Sequence, residues 1–308
     1  MSRSSFAVVA NTPLSRLTRA DFRNRRVAPT ASPSGSGVPT SSGRLSPTAT
    51  RRIRSGNGPT SRAIGRWSSW APISWPRTST WVGIARTFTE AGGQVIQEVY
   101  PPLGSVDFAP FLAQIRRDAD VVATFFAGAD AIRFVKQYEE YGLKGKIPII
   151  GKGLTQGDVL PKMGESAVGI VSAIHWVPAV DTPENRRFME AYAAKYKRPA
   201  VDMAEQGYVG AQAIARALEA VKGNVEDQAG FLAALKAVEF NGPRGKVRFD
   251  AFQNVVHTVH ILKVEQRGRA IENLPIVSFP STTQFWKWSP EAFMALTPYA
   301  ELRGKWAK

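Results

Sequence analysis

From residue 83 onward the chain predicts an α/β fold on a mainly parallel sheet, and three observations carry that expectation. Short apolar runs begin near residues 93, 120, 147 and 168, a spacing that suits successive βα units. Asp120–Phe126 (DVVATFF) is almost unbroken in its apolar character, the mark of a strand covered on both faces. The stretches between the runs repeat apolar residues every three or four positions, as a helix packed on a sheet requires.

Taken in order, Gly93–Tyr100 (GQVIQEVY) reads as a strand and Phe108–Asp118 as a helix with Phe108, Phe111, Leu112 and Ile115 on one face. The strand Asp120–Phe126 leads into a helix over Ala129–Tyr141 that turns Ile132, Val135 and Tyr138 inward. Ile147–Ile150 is a strand, Asp158–Met163 a short helix and Val168–Trp176 a further strand. Thr182 and Pro183 supply an N-cap and a first-turn proline for the helix Glu184–Tyr196, whose stripe is Phe188, Tyr192 and Tyr196. Past Ala200 the pattern becomes a helical pair. Ala204–Lys222 carries Ala211, Ile214, Ala215, Leu218 and Val221 on one face and closes at Gly223; Val225–Val238 follows. Phe240–Asp250 is a turn entering a strand, Val255–Val264 is strongly β-prone, and Phe285–Lys308 is aromatic-rich and irregular.

Residues 1–82 differ in kind. They hold thirteen arginines, no lysine, no glutamate and one acidic side chain, Asp21, so that of the formal +15 only +3 belongs to residues 83–308. A nucleic-acid partner would rest on this segment alone, and the body gives no reason for one. Runs such as SPSGSG (32–37) and RRIRSGNG (51–58) cannot bury enough apolar surface to offset the entropy of ordering. Trp67, Trp70, Trp75 and Trp81 sit in it without helical or strand period. The expectation is a disordered basic arm or a stretch translated out of frame, and the abrupt switch to well-patterned protein favours the second. Phe6–Ala10 is too short for a secretory leader, which needs about 7–15 apolar residues. No apolar run reaches the roughly 18 residues of a membrane span. The chain has no cysteine, which excludes disulfides and thiolate metal sites.

The histidines do not predict a metal centre. His257 and His260 lie three apart in a strand and so on opposite faces, and His175 has no evident acidic companion. Gly164–Gly169 (GESAVG) has GxSxxG spacing and precedes a strand, so it reads as a loop and not as a nucleophile elbow. No nucleophile, base and metal set converges, so neither an enzyme nor a cofactor is expected. Gly151–Gly157 (GKGLTQG) follows a strand and precedes a helix, where open α/β sheets bind ligands. It is a poor phosphate loop, because Lys152 is followed by Gly153 and not by Ser or Thr. Ala127–Asp130 (AGAD) holds the equivalent place after the preceding strand; in both loops a purely structural turn stands equal beside a ligand loop.

Six blocks carry a family resemblance: Phe88–Val95, Asp107–Ala119, Asp120–Gly128, Tyr141–Gly151, Gly164–Ile174, and Gly242–Asp250 followed by Ile261–Val264. In this order the region 85–308 resembles the branched-chain amino acid (Leu/Ile/Val-binding-like) type of ABC-transporter substrate-binding protein, with a type I periplasmic binding fold. The resemblance implies two α/β lobes that close on a solute in the interlobe cleft, in the periplasm, with closure sensed by membrane permease and ATPase subunits. It assigns 83–200 to the second lobe, nearly complete, 201–275 to the returning part of the first and 276–308 to a final crossover. The rest of the first lobe and the second lobe's first strand have no recognisable counterpart in residues 1–82. The implied ligand-binding residues are Phe126, Ala127, Gly128, Ala129, Gly153, Leu154, Thr155 and Trp176. Amino-acid-binding members place an acidic residue within the region corresponding to Gly151–Thr155, to hold the ligand's ammonium group; here Lys152, Gly153 and Leu154 stand there. With Phe125, Phe126 and Trp176 nearby, the chain resembles members that bind aromatic or other apolar carboxylates. Alternatives are the ligand-sensing domain of a regulator with the same fold or a doubly wound α/β enzyme. Loss of most of a lobe implies exposed helix faces, low stability and weak solute binding.

Overall fold

The computed structural model describes residues 66–70, 79–297 and 301–302. The readings made for 1–65 and 71–78 lie outside the described residues. Among the described residues, nine strands form one sheet in the order β2-β1-β3-β4-β5-β8-β7-β6, with β9 paired to β8. The first five are β1 Arg66–Trp70, β2 Gln94–Val99, β3 Val121–Thr124, β4 Ile149–Lys152 and β5 Val171–Ile174, all mutually parallel. Helices α1 Ser79–Glu90, α2 Ala109–Leu112, α3 Gly128–Glu140 and α4 Val159–Met163 make the crossovers, with a 3-10 turn at Gly164–Ala167. The expected α/β class is the observed one.

All four residues of β3 and of β5 are buried, as unbroken apolar runs demand. Their side chains alternate between two cores. Val122 and Ile149 join Phe108, Leu112, Phe134, Val135, Tyr138 and Leu160 on the face of α2, α3 and α4. Val121, Ala123, Ile150, Val171 and Ala173 meet Ile84, Ala85 and Phe88 of α1 on the other. At the carboxyl end of β4 a Cβ on Gly151 would stand 2.9 Å from the Thr124 carbonyl, so glycine lets the strands approach there.

The second half of the chain returns as α5 Pro183–Tyr196, α6 Asp202–Ala220, α7 Gln228–Lys236, β6 Glu239–Gly242, β7 Gly245–Phe249, β8 Val255–Arg267, β9 Ala270–Thr282 and α8 Pro290–Met294. Thr182 caps α5 as expected, its Oγ1 accepting from the Asn185 N–H at 3.1 Å. The helices α6 and α7 pack on the β6–β7 hairpin through Val209, Ala213, Ala217, Val238, Phe240 and Val247. Strand β8 joins this unit to the larger one: Val255 and Val256 pair with β7, whereas His260–Lys263 pair antiparallel with β5.

Several expectations are corrected. A strand and the first turn of a helix fall inside 1–82, because β1 sits between β2 and β3 and α1 begins at Ser79. The helix expected over Phe108–Asp118 stops at Leu112: Gln97 of β2 donates to the Gln114 carbonyl at 2.7 Å and accepts from the Arg116 N–H at 3.1 Å, drawing the chain away from the helical path. The stripe expected on α6 is rotated; Glu205, Val209, Ala213 and Ala217 are buried, and Ile214 is half exposed. With Leu232 of α7 it forms part of an apolar face that the described residues leave open. The strand Ala270–Thr282 was not expected, and it crosses the limit drawn at 275.

Candidate functional site

Parallel pairing of Thr124 with Gly151 and of Lys152 with Ala173 sets the carboxyl ends of β3, β4 and β5 side by side. Strand β8 runs the other way, so its start reaches the same edge, with His260 opposite Ile174. The edge therefore collects the residues that follow three parallel strands: Phe125 to Ala129, Lys152 with Gly153, and His175. This is the location at which open α/β sheets hold ligands.

Four residues of the implied set come together there. Ala127, Gly128 and Ala129 form the exposed start of α3, and Ala127 caps that helix without a side-chain hydrogen bond. Gly153 is half-buried in the left-handed region, at φ +66°, which its missing Cβ permits. The other four are built into the walls. Phe126 packs edge-on against Phe108 at 5.4 Å and tilts on Phe134 at 4.6 Å, and Leu154 is in the same core. Thr155 donates to Asn273 Oδ1 at 2.8 Å, and its carbonyl accepts from Asn273 Nδ2 at 2.6 Å, tying the loop to β9. Trp176 is buried and borders a cavity of about 570 Å³ together with Gln156, Val177, Met189, Asp202 and Asn273.

The indole N–H of Trp176 donates to Asn185 Oδ1 at 2.7 Å, while Asn185 Nδ2 donates to the Pro178 and Val180 carbonyls at 3.1 and 2.7 Å. Asn185 is almost fully buried. Asn185→Leu strands that indole donor and those carbonyls, and is expected to cost about 2–3 kcal/mol in urea unfolding. A loss within the error of the measurement would show that water replaces the amide.

Lys152 gives the edge its charge. Its Nζ stands 5.7 Å from the Phe125 ring centroid. Burial lowers its pKa to about 8, opposed by the nearby Asp202 carboxylate. His260 donates to or accepts from Ser278 Oγ at 2.8 Å, and burial lowers its pKa to about 4. The expectation that His175 lacks an acidic companion is overturned: its Nε2 lies 3.6 Å from Glu205 Oε2. The signal was present in the sequence, because Glu205 occupies the i−4 position of the buried stripe Val209, Ala213 and Ala217. Among the described residues no group of three or more His, Asp or Glu is arranged to hold a metal ion.

A parallel sheet with glycine-containing turns at its carboxyl edge is joined through a shared strand, β8, to a second packed unit. The chain belongs to the periplasmic binding protein family, whose profile matches residues 73–269. It is 35% identical over 169 residues to the Leu/Ile/Val-binding protein homolog 6 of Brucella melitensis, a match that covers 53% of this chain and 43% of that protein. The chain thus spans less than half the length of the curated relatives it matches. An ABC transporter substrate-binding protein from Sphaerobacter thermophilus superposes with a TM-score of 0.69 at 35% identity, over 71% of this chain and 62% of that one. A solute-binding protein of an ABC transporter from Rhodopseudomonas palustris HaA2, solved in complex with p-hydroxybenzoic acid, gives 0.66 at 28% identity over 72% and 62%.

Proposed function

We propose that this chain is the solute-binding component of an ABC importer, working in the periplasm with permease and ATPase subunits, and that its solute is an aromatic or other apolar carboxylate. The observation that carries the solute class is Lys152. Where the resemblance to amino-acid-binding members calls for an acid facing an ammonium group, this chain presents a cation over an aromatic ring. An ammonium group brought there would meet like charge, whereas a carboxylate gains a charge-assisted hydrogen bond, and the buried Phe125 ring keeps the surroundings of the ammonium apolar. The relative that was solved with p-hydroxybenzoic acid supports the same class. Binding here is a matter of capture and release, with no chemical step.

The described residues supply one wall of the cleft, so the dissociation constant for 4-hydroxybenzoate is expected near ~1 mM, measured by calorimetry near neutral pH with leucine as the control. Lys152→Met is expected to weaken binding by about 10–100-fold, the worth of one charged hydrogen bond. The ammonium group loses its proton as pH rises through about 8, so affinity holds below that value and falls above it. Leucine binding as well as the benzoate, or a Lys152→Met variant binding it unchanged, would sink the proposal.

A further inference from the structure

At the crossing between the two packed units, four buried polar side chains from four elements meet: Glu205 of α6, Arg244 of the β6–β7 turn, His257 of β8 and His175 just beyond β5. Arg244 Nε donates to Glu205 Oε1 at 2.8 Å and its Nη2 to Oε2, while Nη1 donates to His257 Nδ1 at 3.0 Å. Gln206 Nε2 donates to His175 Nε2 at 3.2 Å, and the two imidazoles stack with centroids 5.7 Å apart and planes 11° from parallel. Arginine and the amide nitrogen can only donate. His257 must therefore accept at Nδ1, and it is neutral in this arrangement. His257 then carries its proton on Nε2, a buried atom without a hydrogen-bond partner among the described residues.

We infer that this cluster is a proton-sensitive latch between the two units: it fixes the angle at which β8 passes from β7 to β5, and it lets go when His257 takes up a proton. Protonation turns His257 Nδ1 from an acceptor into a donor aimed at the Arg244 guanidinium. The charged groups around the pair are Arg244, Lys152 and His260 on the cationic side and Glu205 with Asp202 on the acidic side. A proton on His257 Nδ1 faces the Arg244 guanidinium, whose Glu205 partner is already engaged, whereas His175 Nε2 keeps the Glu205 carboxylate within 3.6 Å. The place on β8 matters as much as the chemistry: His257 lies between the residues paired with β7 and those paired with β5, where the strand can bend. The ladder with β9 is already irregular between His257 and Val259. Burial, and then Arg244, hold both imidazoles well below the ordinary value near ~6.5. An opened imidazole binds a proton below that value and a closed one does not, so the closed arrangement is at full strength above ~6.5 and weakens progressively as pH falls beneath it. None of this depends on which solute is bound.

The test is a distance measurement between nitroxide labels at Lys136→Cys and Glu219→Cys, exposed sites on α3 and α6 in a chain that has no cysteine of its own. A single narrow distribution is expected at about pH 8, and a shifted, broader one at about pH 5.5 with helical circular dichroism retained. In the His257→Gln variant the amide oxygen accepts from Arg244 at either pH, so the distribution should stay narrow. If that variant does not fold, amide exchange of the wild-type β7–β8 pair at Arg248, Phe249, Val255 and Val256 decides the matter, since it should quicken selectively on acidification. An unchanged wild-type distribution, or broadening that tracks loss of the helical signal, would overturn the latch.

Discussion

Arg244→Met is expected to destabilise the chain by about 3–5 kcal/mol, because it leaves a buried carboxylate without its partner. Glu205 is fully buried, and burial raises its pKa while Arg244 pulls it back down. Once the guanidinium is gone, the carboxylate is left beside His175, whose burial opposes its taking a charge. Removing both charges with Glu205→Leu and Arg244→Met together should recover most of the loss, since an apolar pair of similar volume needs no counterion. Urea unfolding of the two single variants and the double variant measures this directly. If Arg244→Met costs no more than an exposed pair such as Arg116–Asp118, about 0–1 kcal/mol, the cluster holds nothing together.

The second large effect concerns β1. Its sequence, Arg66–Trp70 (RWSSW), is polar, yet the strand is hydrogen-bonded on both edges, between β2 and β3. A strand so placed in a sheet covered on both faces is ordinarily apolar throughout. The genetic code offers a reason for the mismatch. Tryptophan has the single codon TGG, and with serine in its TCN codons the frame that starts at the third base of Arg66 reads Leu, Met or Val, then Val, then Phe, Leu, Ile or Val, then Leu, Met or Val, and then Gly. That is four apolar residues and a turn, the pattern the position demands and the one an out-of-frame origin predicts. The pair Ser68→Val and Ser69→Leu should therefore stabilise the chain by about 3–5 kcal/mol, read as a raised unfolding midpoint. A midpoint that stays or falls would remove this account of the segment, as would a gene whose shifted frame fails to continue in apolar periodic sequence.

What the sequence could reveal divides along physical lines. Strands β3, β4 and β5 were legible because burial on both faces writes an apolar run into the chain. The start of α5 was legible because a threonine followed by a proline acts locally. The end of α2 was not, since it depends on Gln97, a residue brought in from a separate strand. Strand β9 was hidden by Pro275 and Pro280, which argue against a strand; the structure tolerates Pro275 opposite Leu262, where the β8–β9 ladder shifts register. At the site, the exposed glycine and alanine turns were found from their place after strands, whereas Phe126, Leu154 and Thr155 belong to the walls that shape those turns. The cluster of Glu205, Arg244, His257 and His175 draws on four distant stretches of chain, and Glu205 went unread because the stripe expected on α6 is rotated away from the buried one.

The proposed uptake of an apolar carboxylate through Lys152 at the carboxyl edge of this sheet is tested most directly by amide chemical-shift mapping of the labelled chain titrated with 4-hydroxybenzoate near neutral pH. Saturable shifts are expected at Phe125, Ala127 to Ala129, Lys152 and Gly153, lost in the Lys152→Met variant and absent with leucine. Shifts confined to other surfaces, or the same response to leucine, would contradict it.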